Sequence, residues 1–250
     1  YSSLITSVEK EWQKLLSSKN DERECQRFLE KYAQLFWGYE YYFTISQFKL
    51  NDDYLPDFVL VSEKGSFGLE YTLVEIEKPS TKVITENNNP TAEINHAIKQ
   101  IRDWKNWLQH NSQSVAELFP AKFSHESLGH MKFQLIIGRR ESNYKKGTEI
   151  VKLQDEVGYE IRSFDHLTDL FRKFIPRDYI IPNSDTEEQY RNEGLYHKFA
   201  NPFFTSMKFK DWKNIVKNPN LCRTHMIGKN ISLFLDKMNV NEHYNEFIKS

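Results

Sequence analysis

Glycine is scarce in this chain, with 9 in 250 residues, and none of them builds a phosphate-cradling loop. There is no Gly-x-x-x-x-Gly-Lys run and no Gly-rich dinucleotide turn, so P-loop and dinucleotide chemistry are excluded. A Gly-x-Ser-x-Gly nucleophile turn is missing as well. Cysteine is limited to Cys25 and Cys222. Two thiols so far apart argue against a disulfide framework and read as reduced cysteines of a cytoplasmic protein. The 8 histidines show no ligand spacing, which argues against zinc. Long apolar runs are absent and mean hydropathy is −0.69, so no transmembrane helix is expected. Tyr1-Ser2-Ser3-Leu4-Ile5 has no basic flank leading into an apolar stretch, so no secretory signal is expected. An excess of one charge is also lacking, since 34 Lys and Arg face 35 Asp and Glu. A net charge of −1 excludes an indiscriminate polycation, and any nucleic-acid contact must come from a local basic surface.

Aromatic residues, by contrast, make up 14% of the chain and hydrophobic residues 39%. That is ample core material and argues against disorder. Leu4, Ile5, Val8, Trp12, Leu15 and Leu16 recur at helical spacing, and residues 1–19 are predicted as an N-terminal helix. Asp21 and Glu24 form a capping-box signal for a second helix, stopped at Gly38. Strands are expected at 41–50, 57–62 and 68–78, as a meander with turns at Asn51-Asp52-Asp53 and Lys64-Gly65-Ser66. Pro79 ends the third strand because it lacks an N–H donor. A helix over 91–110 carries Ile94, Ala97, Ile98, Ile101, Trp104 and Leu108 as its stripe. A fourth strand is expected at 131–138, a fifth near 159–162, and a helix capped by Asp165 running to Phe174. Residues 177–250 read as a mainly helical C-terminal extension.

The chemistry gathers on the third strand. Residues two apart on a strand share a face, so Glu75 and Glu77 point one way and Lys78 the other. Asp57 opens the neighbouring antiparallel strand. Three carboxylates converging in a partly dry site repel one another, and a divalent cation relieves that repulsion. Hard oxygen donors of this kind suit Mg²⁺ or Mn²⁺. Acids on a solvated sheet face need no metal, and in a chain that is 28% charged this blander reading stands beside the first. Two features favour a site. Val74 and Ile76 alternate with the acids, and Gln100 lies at the edge of the apolar stripe on the following helix. Basic residues collect nearby. Lys99, Arg102 and Lys105 share that helix, Arg139 and Arg140 end the fourth strand, and Lys145-Lys146 follow in a loop. Beside an acidic centre they read as a rim that grips phosphates. Lys208, Lys210 and Lys213, interleaved with Phe209 and Trp212, form a second possible contact.

The α-β-β-β-α-β order, Pro56-Asp57, Glu75-Ile76-Glu77-Lys78-Pro79 and the Gln100-x-x-x-Trp104 helix together resemble the PD-(D/E)xK nuclease superfamily. Phe28-Leu29-Glu30-Lys31, Leu135-Ile136-Ile137-Gly138-Arg139 and Phe164-Asp165-His166-Leu167 narrow the resemblance to the Shedu anti-phage defence nucleases. It covers residues 20–176, read as the nuclease domain. The resemblance implies an α/β fold with a restriction-endonuclease-like core around a central mixed sheet. It implies metal binding by Asp57 and Glu75, with Glu77 in the slot where relatives place a water-orienting lysine. Glu77 then serves as general base or further metal ligand, with Lys78 as the alternative. Glu30 falls where the superfamily often has a site-facing acid, and Gln100 matches a glutamine beside the scissile phosphate. The implied function is Mg²⁺- or Mn²⁺-dependent cleavage of DNA in bacterial defence, by a homo-oligomer (dimer or tetramer). Two other readings stay open: a decayed nuclease module that binds or senses nucleic acid, favoured by Glu77 in the lysine slot, and an interaction scaffold with accidental acids.

Overall fold

The computed structural model describes residues 2–18, 22–37, 41, 43–63, 68–119 and 131–174. The C-terminal extension lies outside the described residues, as do Asp21, Gly38, the Lys64-Gly65-Ser66 turn and the basic-aromatic stretch around Trp212. Among the described residues, five strands form one mixed sheet: β1 (Phe43–Ser46), β2 (Phe58–Glu63), β3 (Leu69–Ile76), β4 (Met131–Ile136) and β5 (Glu160–Arg162), in that spatial order. β1, β2 and β3 pair antiparallel, β4 joins β3 in parallel, and β5 joins β4 in parallel. A parallel step needs a long crossover, and α3 (Ala92–His110) with α4 (Ser112–Leu118) lies between β3 and β4.

Helices cover both faces. On one, Ile94, Ala97, Ile98, Ile101, Trp104 and Leu108 of α3 share a core with Val59, Val61, Leu73 and Leu135. On the other, α1 (Ser2–Ser17), α2 (Glu22–Phe36) and α7 (Phe164–Phe174) share a core with Phe58, Leu60, Val74, Ile76 and Ile136. β3 is therefore buried along its whole length, which makes its charged residues exceptional. Trp12 joins the helices of the second layer. Its ring lies 5.3 Å from Phe28 and 4.9 Å from Phe36, and its indole N–H donates to Thr168 Oγ1 at 2.9 Å. A buried indole needs such a partner.

Several boundaries differ from expectation for identifiable reasons. β1 stops at Ser46 because Gln47 adopts φ +48° and turns the chain. β4 stops at Ile136, two residues early, because Gly138 turns the chain at φ +66°. A Cβ at Gly138 would stand 2.3 Å from the Thr81 carbonyl oxygen, so only glycine fits there. Lys145-Lys146 belong to a 3-10 turn rather than a loop, between α5 (Arg140–Asn143) and α6 (Gly147–Val157). Of the residues of α6, only Leu153 is fully buried, which leaves a faint apolar period in the sequence. Asp165 is inside the first turn of α7 instead of capping it, because its carboxylate is engaged by Arg139 and by the Arg140 backbone N–H. Among the described residues no helix is long and apolar enough to cross a membrane.

Candidate active site

The register of β2 and β3 builds the centre. Phe58 pairs with Val74, and one further step of the same ladder sets Asp57 opposite Glu75. Residues opposed in this way hold their Cβ atoms about 5 Å apart. Glu75 lies on the α3 side, where Gln100 bonds it, because Val74 faces the α2 core and side chains alternate, while Asp57 precedes β2 at the end of the sheet, within reach of the charges on α2. Asp57 is tied in place from two directions. Its Oδ2 accepts from the Ile76 N–H at 2.8 Å, and its carbonyl accepts from the Gln47 N–H at 2.8 Å. Pro56 contributes a second anchor, its carbonyl accepting from the Phe48 N–H at 3.1 Å. β3 ends at Ile76, but the Glu77 N–H still donates to the Ile136 carbonyl at 2.8 Å and holds Glu77 in line.

These acids are poorly solvated. Glu75 is only 6% exposed. Burial pushes the Asp57 carboxyl up to about 7; the Ile76 N–H opposes this, while the charges of Glu22, Glu77 and Glu30 add to it. Burial also pushes Glu75 well above the carboxylate range, with further rises from Asp57, Glu22 and Glu77 against a hydrogen bond with Gln100. Glu77 is raised by burial and by Glu22, while His96 and Lys78 oppose. The centre thus holds its protons to higher pH than ordinary carboxylates do. A divalent cation removes the cause, because it replaces those protons and screens the repulsion.

The donor set fits Mg²⁺ or Mn²⁺ in kind: oxygen only, with a neutral amide beside it. Among the described residues, no group of three His, Cys, Asp or Glu side chains stands ready to hold a metal ion. The structure instead opposes two carboxylates, Asp57 and Glu75. One or two carboxylates, with water and substrate phosphate completing the shell, is the usual protein share of a Mg²⁺ site.

Gln100 joins the centre through Glu75, and Glu30 acts on it through Asp57. Lys78 is exposed and acts on Glu77 by its charge and by a hydrogen bond from its backbone N–H, its carbonyl accepting from Gly138 and Thr81. The basic residues are more committed than the sequence implies. Lys99 is paired with Asp103 at 2.6 Å, whereas Arg102 is exposed on the same helix. Lys105 donates to the Val157 carbonyl at 3.1 Å and lies over the rings of Phe133 and Tyr159. Arg139 grips Asp165 with Nε and Nη2 and reaches the Leu16 carbonyl at 3.2 Å. Arg140 pairs with Asp169. Both arginines still line a cavity of about 530 Å³ with Lys82, Lys145 and Lys146, where five cations outnumber Glu86, Glu141 and Asp165. Arg139 directly follows Gly138, whose N–H donates to the Lys78 carbonyl just beyond the end of β3.

Glu22 is the residue that sequence reading missed. Its charge acts on Asp57, Glu75 and Glu77 alike. Its only sequence signal is a place in the first turn of α2, where acids are common for helix-dipole reasons.

No curated protein matches the chain. A family model described as Shedu protein SduA, C-terminal, matches residues 19–168. The matched stretch runs from just before α2 into α7 and contains Asp57, Glu75, Glu77 and Gln100. With well over half its length inside that match, the chain belongs to the Shedu family.

Proposed function

We propose that this protein is a Mg²⁺- or Mn²⁺-dependent DNA endonuclease with a restriction-endonuclease-like core, acting in anti-phage defence. The observation that carries the reading is the opposition of Asp57 and Glu75, two poorly solvated acids at one end of the sheet. Membership of the Shedu family supplies the defensive setting. In this reading Asp57 and Glu75 hold the cation, and Gln100 fixes the Glu75 carboxylate by hydrogen bonding. The bound ion would supply Lewis-acid polarisation of a phosphate oxygen and a more acidic water. Glu77 accepts the proton of the attacking water, a role its raised pKa favours. The water oxygen bonds to phosphorus as the bond to the leaving sugar oxygen breaks, and that oxygen is protonated from solvent. The basic cavity beside Arg139 and Arg140, with Lys99 and Arg102 on α3, serves as the surface for flanking phosphates. Its contribution weakens with salt.

The test is cleavage of linear and plasmid DNA in Mg²⁺ by wild type, Asp57→Ala and Glu75→Ala. The reading expects cutting by the wild type and a loss of at least about a hundredfold in each variant. Unchanged cutting in both variants rejects it. A decayed module that only binds DNA is favoured by one feature, the glutamate at position 77, where the nuclease superfamily that the chain resembles usually has lysine. It expects wild-type DNA binding without cutting in either metal.

A further inference from the structure

Glu22, Gln26 and Glu30 follow one another at four-residue steps along α2. At about 100° per residue, Gln26 stands about 40° round from each acid, between the two. Both acids act on Asp57, so the flank that carries Gln26 is the one beside the candidate site. Arg27 and Lys31, on the far side of the helix, are exposed. Gln26 is 8% exposed, and its Nε2 is fully buried with no hydrogen-bond partner among the described residues. Ser46 Oγ is buried and unpartnered in the same way, and Ser46 pairs with Phe58, the residue next to Asp57. Native proteins leave few buried polar groups unsatisfied, because the desolvation penalty is not offset. A donor kept in that condition beside a site points to a partner that arrives with the ligand. The partner must present an acceptor oxygen. A phosphodiester presents two non-bridging oxygens that carry no proton, and a neutral amide meets them without being captured by Glu22 or Glu30 as a lysine would be.

We propose that Gln26 is a substrate-contacting residue, whose side-chain amide donates to a non-bridging phosphate oxygen of DNA seated beside Asp57. The proposal rests on the nuclease reading. Its test uses the whole chain in three measurements: binding of fluorescein-labelled duplex DNA in Ca²⁺, cleavage of the same DNA in Mg²⁺, and thermal unfolding without metal or DNA. Gln26→Met keeps the length of the side chain and removes the donor, and Gln26→Leu is read beside it in case one variant packs poorly. Both variants are expected to bind or cut about tenfold less well, with Tm unchanged or higher in at least one. Replacing an unsatisfied donor by an apolar group removes a penalty, whereas replacing a bonded structural glutamine lowers Tm. Wild-type binding and cutting in both variants overturns the inference and leaves the nuclease reading intact. A lower Tm in both also overturns it, since it reveals a partner in the free protein. Wild-type DNA binding without cutting ends the nuclease reading alone, and the binding measurement then decides Gln26. Absence of both binding and cutting ends both.

Discussion

Replacing Asp57 with asparagine removes a charge that the fold resists. The carboxyl titrates at about 7 in the folded protein against an ordinary 3.8. At about 1.4 kcal/mol per pH unit, that gap corresponds to roughly 4 kcal/mol. The sign follows from the raised value. Below pH 3.8 the group is protonated whether folded or unfolded, and its contribution to stability is fully present. As pH rises toward 7 the unfolded chain releases its proton and the folded protein does not, so stability falls. In the asparagine variant this loss disappears. The amide oxygen still accepts from the Ile76 N–H, but more weakly than a carboxylate, which trims the gain. Asp57→Asn is therefore expected to exceed the metal-free wild type by about 2–4 kcal/mol at pH 8, and by almost nothing at pH 4. For a domain of this size that is a Tm gain of roughly 5–15 °C. Thermal unfolding followed by circular dichroism at pH 4, 6 and 8, with EDTA present, measures it. The Asp57 charge bears on Glu75, so the titration seen belongs to the pair. A variant less stable than wild type at pH 8, or a difference that does not change with pH, would refute the reasoning. Millimolar Mn²⁺ should then stabilise the wild type at pH 8 and leave Asp57→Asn nearly unmoved.

Gly138→Ala should lower stability by at least about 2 kcal/mol, since φ +66° and the Thr81 carbonyl both reject a Cβ. Urea unfolding checks it, and a neutral substitution contradicts the packing described. Arg139→Ala strands the Asp165 carboxylate, whose pKa is held low chiefly by Arg139 against burial. Its stabilisation is present above the ordinary carboxylate range and lost as pH falls through the depressed value, so the variant's deficit should shrink on acidification. Self-association into a dimer or tetramer is expected from the Shedu resemblance. Size-exclusion chromatography with light scattering showing a strict monomer at micromolar concentration would reject it.

The parts of the centre that lie on one strand were legible in the sequence. Val74 and Ile76 had to face one core, so period-two alternation sent Glu75 and Glu77 to the other side. The antiparallel meander then placed Asp57 near Glu75, and the strong stripe of α3 put Gln100 at its margin. What was hidden depends on contacts far apart in the chain. Glu22 and Gln26 are a first-turn acid and a polar residue on a helix flank until α2 is laid beside β1 and β2. Arg139 and Arg140 read as free cations because their acidic partners, Asp165 and Asp169, are 26 and 29 residues away. Asp165 carries the sequence signal of a cap because a cap and an ion-pair partner at a helix start look alike locally. α6 leaves little apolar period in the sequence because it fully buries one side chain.

The most direct test is the position of a bound ion. A crystal soaked in Mn²⁺ gives an anomalous peak wherever the metal sits. The account predicts one between the carboxylates of Asp57 and Glu75. A Mn²⁺ peak elsewhere on a protein that cleaves DNA would contradict it.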